Sequence, residues 1–462
     1  MPTVILAGHN LDAESMDALR RGEPAPVTPE TLSAAYARIS RDPRPVPELR
    51  AAARADVARA RASNDRIVFG FGHHSVAEHA VFNFDVLDAS RLAIEALEAH
   101  RLASYTEKSQ RYVRLGEDFV VPAEAAHVEA ELRAFLKRSF ARYAALNEGL
   151  VAAGVPERLA GEDARYALPL ATTGQLGMTV NARELERMVL NLSASPLAEV
   201  RDLASQLHAR AAAVAPSLLR HVTPGPYDLA RHAEVAAVAG DIFPEASGLG
   251  ADPAQGRPSW VGLVRATPDG DGAILAALTQ PSLGTDHATV LDLVRGLDRQ
   301  ARARLFEAAT RLLGPHDVLP RELEHASLCF DVVLSAAAFG QLKRHRMASL
   351  TAAPYRPDLG AAVPPAISGA GLAPLLEDAA EDARGVAAAI GGPAAAYALL
   401  NAHRRRVLLT VNLRELYHLS RLREDAHAQW DIRAIAVAMS EAARAAFPVC
   451  ASRLGGKDTF GS

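Results

Sequence analysis

Arg344-His345-Arg346-Met347-Ala348-Ser349 has a diverged copy earlier in the chain, Ala99-His100-Arg101-Leu102-Ala103-Ser104. The surroundings repeat as well. Upstream, Glu78-His79-Ala80 and Phe84-Asp85-Val86 return as Glu324-His325-Ala326 and Phe330-Asp331-Val332. Downstream, Asn181-Ala182-Arg183-Glu184-Leu185 returns as Asn412-Leu413-Arg414-Glu415-Leu416. Four matches in one order mark a tandem duplication. The fold is therefore two copies of one domain: residues 1–222, a linker over 223–258, and residues 259–462.

The bulk properties fit a folded protein acting on small molecules. A chain of 462 residues, 49% hydrophobic and 23% charged, has the composition of an ordinary globular protein. A net charge of -4 gives no reason to expect a nucleic-acid partner. Nearly all the positive charge is arginine, because only Lys108, Lys137, Lys343 and Lys457 are lysines. Arginine suits two-pronged grips on phosphate and carboxylate. Two cysteines, Cys329 and Cys450, cannot form a disulfide framework or a cysteine-rich metal site. The apolar stretch from Val386 to Leu400 is broken by Gly391, Gly392 and Pro393, so no membrane span is expected. The start of the chain has no basic, apolar leader pattern, and the expected location is the cytoplasm.

Periodicity predicts an α+β architecture in each half, a short sheet with long helices. Strands are expected at Val4–Ala7, Val81–Leu87, Trp260–Val264 and Leu328–Leu334. Helices are expected over 29–39, 47–64, 89–104, 124–153, 292–313, 336–349 and 395–422. Thr106–Gln110 reads as a polar loop, and 223–258, without clear period, as the linker.

The copies differ at polar positions. In Glu107-Lys108-Ser109-Gln110-Arg111-Tyr112, a carboxylate, a hydroxyl and a guanidinium alternate along an extended loop. Such a set suits a nucleotide, whose base needs donors and acceptors and whose phosphate favours Arg. The second copy has Ala352, Pro354 and Pro357 at the matching Glu, Ser and Tyr positions and keeps only Arg356. The basic helix shows the reverse. Gln341 and Arg344 have become Ala96 and Ala99 in the first half. Arg414 and His418, four residues apart, fall on one helix face, while Arg423 falls on another or follows the helix end. The later Arg of the first half is Leu192, and Ala396 stands opposite Arg165. His73, His74 and His79 with Glu78 are too loosely spaced for a metal site, and none is expected.

These residues resemble the flavin-dependent thymidylate synthase family, whose pattern is roughly R-H-R-x-x-S-x-N-x-x-S-x-R-Y. In the family it follows G-H-x-[ST]-x-x-E-H and precedes N-x-R and H-A-Q-W-E-I. The resemblance spans most of both halves. It runs over Gly72–His79 and His100–Tyr112 in the first, and Gln341–Ser349 and Asn412–Arg433 in the second. It implies that Glu107, Ser109, Arg111, Arg165, Gln341, Arg344 and Arg423 bind dUMP, with Ser109 and Arg423 as the expected catalytic residues. It implies FAD contacts from Ser40, His73, Ser75, Glu78, Arg344, His345, Arg346, Asn412, Arg414, His418 and His427.

The resemblance also implies reductive methylation of dUMP to dTMP, with methylenetetrahydrofolate and NADPH as co-substrates. Family members are homotetramers with sites between subunits, and a tandem chain is expected to reproduce that arrangement as a homodimer. Because the losses in the two halves are complementary, a single composite class of site is expected to unite both intact sets. Thr106 and Thr351 replace the loop Asn of the family, which leaves open a related flavoprotein acting on another pyrimidine nucleotide. A non-catalytic nucleotide-binding or scaffold protein is the third reading, weakened because each main element survives at least once.

Overall fold

The computed structural model describes residues 2–244, 259–314 and 317–458. It contains two separate antiparallel sheets. In the first, β1 (Thr3–His9), β2 (Val81–Ser90), β3 (Ser104–Glu107) and β4 (Thr173–Asn181) lie in the order β1-β2-β4-β3. In the second, β5 (Trp260–Ala266), β6 (Ser327–Ser335), β7 (Ser349–Ala352) and β9 (His403–Asn412) lie in the order β5-β6-β9-β7. A short strand, β8 (Arg356–Ala361), also pairs with β9. The duplication thus appears as the same four-strand order twice.

Strand β2 shows why these segments are strands. Phe82, Phe84 and Val86 recur with period two and are buried, while Asn83 and Asp85 face outward. The strand bulges after Val86, where Asp88 takes a positive φ of 55°. β2 and its counterpart β6 each feed a helix whose N-terminus is capped by a serine. Ser90 accepts from Ala93 N and Ser335 from Ala338 N, both at 3.0 Å.

Several expectations change in the structure. Thr106 is not in a loop but in β3, paired with Gly177 of β4, and the loop begins at Lys108. The helix expected over 395–422 is a 3-10 turn, strand β9, and then a helix over Leu413–Arg423. Val407-Leu408-Leu409-Thr410-Val411 is strand-forming and, with Arg404-Arg405-Arg406 before it, pairs along its length with β6. The basic helix stops at Leu342, so Arg344-His345-Arg346 lies in the turn beyond it. The run over 47–64 breaks at Asp56, which caps the second piece, and that over 292–313 breaks at Gly296. The expected linker contains a helix, Pro226–Ile242, with no buried residue. Residues 245–258 lie outside the described residues.

Packing divides the chain into two compact units, and they interleave the sequence halves. One unit comprises Met1–Phe140, Pro169–Gly250 and Gly385–Ala398. The other comprises Ala141–Leu168, Ala251–Arg384 and Leu399–Ser462. Each half therefore lends one segment to the unit built mainly from the other half. The core of the second unit is formed by β6 and β9 side chains such as Phe330, Val332 and Leu409, against Leu416, Ile435 and Met439 of the last helices. Among the described residues, no helix is long and apolar enough to cross a membrane.

Candidate active site

The exchanged segments carry matching buried networks. In the second unit, the Tyr166 hydroxyl donates to Asp431 Oδ2 at 2.9 Å, and Ser335 Oγ donates to the same oxygen at 2.5 Å. In the first, the Tyr397 hydroxyl donates to Glu199 Oε2 at 2.6 Å, and Ser90 Oγ does the same at 2.6 Å. Each network ties a lent tyrosine to an acid and to the serine that caps the helix after the strand. Backbone bonds complete the docking: Asn401 N to Leu168 O at 2.8 Å and Ala402 N to Tyr166 O at 3.1 Å in the second unit, and Ala171 N to Tyr397 O at 3.1 Å in the first.

The functional residues around these networks differ. In the second unit Arg165, adjacent to Tyr166, is buried and holds Glu162 O through Nε at 3.1 Å. Its positive charge favours the ionised forms of Asp163 and Asp431. Gln341 is buried, and its Nε2 donates to Gln429 Oε1 at 3.2 Å. Arg423, the last residue of its helix, donates through Nε to His345 Nε2 at 3.1 Å and through Nη2 to the Gln341 carbonyl at 3.3 Å. His345 is 2% exposed, and burial lowers its pKa. The ring is therefore neutral and accepts from Arg423 while its Nδ1 faces Glu415 at 3.4 Å. His345, expected at the cofactor, is placed inside the protein as a brace for Arg423. Arg344 and Arg346 are exposed on the same turn.

A cavity of about 520 Å³ opens beside this cluster in the second unit. Asn412, Arg414 and His418 line it, with Glu324, Glu415, Arg421 and Lys457. The four-residue spacing thus brings Arg414 and His418 to one cavity. Arg414 is held by Glu324 at 3.0 Å and by Leu319 O at 2.9 Å. Asn412 also caps its helix by accepting from Glu415 N at 2.8 Å. His427 is exposed and contacts Asp425 at 3.0 Å.

The other expected residues lie in the first unit. Glu107 follows the β3 pairing into a buried contact with Arg91 at 3.7 Å. Arg91 was not anticipated, although its place next to the helix-capping Ser90 was readable. Ser109 Oγ accepts from Arg111 N at 3.1 Å, and the Arg111 guanidinium lies over the Tyr112 ring at 5.4 Å. Ser40, His73 and Ser75 are exposed. Arg41 lies 3.2 Å from His73 Nε2, and Arg41 and Arg66 lie 5.3 and 5.2 Å from the Phe71 ring. Glu78 pairs with Arg183 at 2.5 Å, as Glu324 pairs with Arg414 in the other unit. The repeated Glu-His segment thus contributes, in each unit, an acid to an ion pair with the arginine that follows the capping asparagine. Sequence reasoning also passed over Tyr166, Ser335, Gln429 and Asp431, although Gln429-Trp430-Asp431 lay inside a quoted motif.

Two acids give the second unit a pH signature. Burial pushes Asp431 up to about 6, against its bonds from Ser335 and Tyr166. Burial also lifts Asp163 to about 6, opposed by the Trp430 Nε1 donor at 2.9 Å. A carboxyl that holds its proton more tightly folded than unfolded loses stability as pH rises from about 4 to 6. Asp163→Asn keeps an acceptor for Trp430 and removes the ionisation. Thermal unfolding should show the variant gaining on wild type by up to about 3 kcal/mol between pH 4 and 7. An advantage independent of pH would contradict this.

Cys450 is buried, and desolvation with the adjacent Asp271 carboxylate pushes its thiol far up. Cys450→Ser should leave turnover unchanged, and native protein should resist alkylation at this position.

These two sheets, with their repeated motifs, define a duplicated α+β architecture. The model of the family Thymidylate synthase complementing protein, Thy1, matches residues 26–217 and again 263–449. The chain belongs to that family and carries its domain twice. It is 36% identical over 143 residues to the flavin-dependent thymidylate synthase of Pyrococcus abyssi, a match covering 30% of this chain and 57% of that protein. It is 37% identical over 162 residues to that of Geobacter sulfurreducens, covering 34% and 68%. The chain thus spans little more than half the length of the Pyrococcus relative.

Among solved structures, it resembles the Helicobacter pylori flavin-dependent thymidylate synthase ThyX complexed with FAD and dUMP. That match has 20% identity and a TM-score of 0.34, over 48% of this chain and 99% of that one. The UMP/dUMP methylase PolB of Streptomyces cacaoi matches with 19% identity and a TM-score of 0.37, over 47% and 93%. These low scores add nothing to the family assignment.

Proposed function

We propose that this protein is a flavin enzyme that methylates dUMP to dTMP. Methylenetetrahydrofolate supplies the carbon and NADPH the reducing electrons, leaving tetrahydrofolate and NADP⁺. One observation supports this reading above the others: the second unit gathers Arg165 from the first sequence half with Gln341, Arg344 and Arg423 from the second. At the matching positions the first unit has Ala396, Ala96, Ala99 and Leu192. One unit keeps the cationic dUMP set, and the other keeps Glu107, Ser109 and Arg111.

The cavity lined by Asn412, Arg414 and His418 has room for a nucleotide-sized part of FAD and cations for its phosphates. Arg344, Arg346, Ser40, His73, Ser75, Glu78 and His427 complete the proposed cofactor set, with His345 acting behind it on Arg423. When bound, the flavin supplies the hydride chemistry. The protein's own task is placement: Arg423, braced by neutral His345, presents a fixed cation, and Ser109 and Arg111 hold the nucleotide. Activity requires both residue sets, and the working form is a cytoplasmic homodimer.

The test is direct. FAD-loaded protein is incubated with dUMP, methylenetetrahydrofolate and NADPH, and the nucleotide product is identified by mass. Formation of dTMP is expected. Oxidation of NADPH with dUMP recovered unchanged would reject the reading.

A further inference from the structure

The dUMP reading names Gln341 as a ligand contact; the network behind it says which end of the amide is available. Asp431 is fully buried and, with its carboxyl at about 6, ionised at neutral pH. An anion only accepts, so the Tyr166 hydroxyl must donate to it, as its 2.9 Å bond to Oδ2 requires. The hydrogen of Tyr166 is then committed, and its oxygen accepts from Gln429 Nε2 at 2.7 Å. A second constraint fixes Gln429 independently. Its Oε1 caps the last long helix by facing the backbone N–H of Ile432 at 3.5 Å, a group that can only donate. Gln429 Oε1 is therefore an acceptor, and Gln341 must approach it with Nε2, at 3.2 Å.

One polar atom is left over. Gln341 Oε1 is buried and has no hydrogen-bond partner among the described residues. Gln341 itself is 8% exposed. A buried acceptor without a donor is costly, and a ligand group that donates to it recovers that cost. The first unit shows that the acid–tyrosine–serine network does not by itself create this feature. Tyr397, Glu199 and Ser90 are all present there, but Leu197 and Ala96 stand where Gln429 and Gln341 do. The amide pair was kept in one unit only.

We infer that Asp431, Tyr166 and Gln429 are positioning residues that lock the Gln341 amide with its carbonyl oxygen as the ligand-facing acceptor. Gln341 then recognises a hydrogen-bond donor of the nucleotide, either the base imide N–H or a sugar hydroxyl, and not its phosphate. This rests on the dUMP reading and specifies the polarity of one of its contacts.

The test measures binding of dUMP, 3-methyl-dUMP and 2′,3′-dideoxy-UMP to FAD-loaded wild type, Gln341→Met, Tyr166→Phe and Tyr397→Phe proteins. One analogue should bind wild type roughly ten- to a hundredfold more weakly than dUMP and suffer no such penalty on Gln341→Met. The 3-methyl analogue failing identifies the imide; the dideoxy analogue failing identifies the hydroxyl. Tyr166→Phe should weaken dUMP binding and shrink the same penalty, which loss of packing alone would not do. Tyr397→Phe should leave both unchanged. Equal penalties on wild type and Gln341→Met, or unaltered dUMP affinity in Gln341→Met, would overturn the inference while leaving the dUMP reading intact. No dUMP binding by wild type would reject both.

Discussion

Arg111→Ala and Arg344→Ala, made in separate proteins, should each lower kcat/KM for dUMP methylation by on the order of a hundredfold. A charge-assisted hydrogen bond to a phosphate or carboxylate contributes about 1.5–3 kcal/mol, and its loss at a desolvated contact lies at or beyond the top of that range. The two residues sit in different sequence halves and different compact units. If each unit worked as an independent enzyme, either substitution would leave the other unit's turnover in place. The complementary losses argue otherwise: the second half replaced Glu107 and Ser109 by Ala352 and Pro354, and the first replaced Gln341 and Arg344 by Ala96 and Ala99. Neither variant should unfold, because Arg344 is exposed and Arg111 lies in a loop. Steady-state kinetics on both proteins, with thermal unfolding as control, checks this.

The second half's loop supports the same account. Where the first half stays irregular from Arg111 onward, the second forms β8 from the matching Arg356, paired with β9. Arg404 donates to Leu359 O at 3.0 Å and Ala361 O at 3.2 Å, and Arg405 to Ala353 O at 2.7 Å. The Arg405 guanidinium also lies between Phe339 and Tyr355, 4.5 and 4.3 Å from their ring centres. The nucleotide loop has been stitched into the fold by side chains that the first half, with Thr173, Gly174 and Gln175, does not have.

The duplication, the α+β class and β1, β2, β5 and β6 were legible in the sequence, because alternation in segments such as Val81–Leu87 is a local signal. Strands β4 and β9 were not. Thr173–Asn181 carries two glycines and β9 opens on three arginines, so their strand character comes from pairing with β2 and β6, a tertiary effect. Arg165, Gln341 and Arg423 were identifiable by motif. Their supports were not: Tyr166 meets Asp431 across 265 residues of sequence, and no periodicity reports such a contact. The interleaving of the halves was equally hidden, since Ala141–Leu168 continues a helix that reads as part of the first copy.

That interleaving yields the second large effect. Arg165→Ala should weaken dUMP binding and lower kcat/KM by about a hundredfold, through loss of a buried cation next to Tyr166, the residue that bonds to Gln429. It should also raise the Asp163 and Asp431 carboxyls further, because Arg165 favours their ionised forms. The mirror change, Ala396→Arg, restores the missing arginine of the first unit. It should add no activity, because Ala96 and Leu192 leave that position without its Gln341 and Arg423 equivalents. An activity gain in Ala396→Arg, or an indifferent Arg165→Ala, would contradict the assignment of function to the second unit's cluster.

The proposal that only one of the duplicated sites is kept is tested most directly by the stoichiometry of bound ligands. Purified protein is saturated with FAD, freed of excess, and titrated with dUMP while the flavin spectrum is followed. The account predicts about one FAD per chain and a spectral change that saturates at about one dUMP per chain. Two FAD and two dUMP per chain would show that both copies still hold their ligands, and would contradict it.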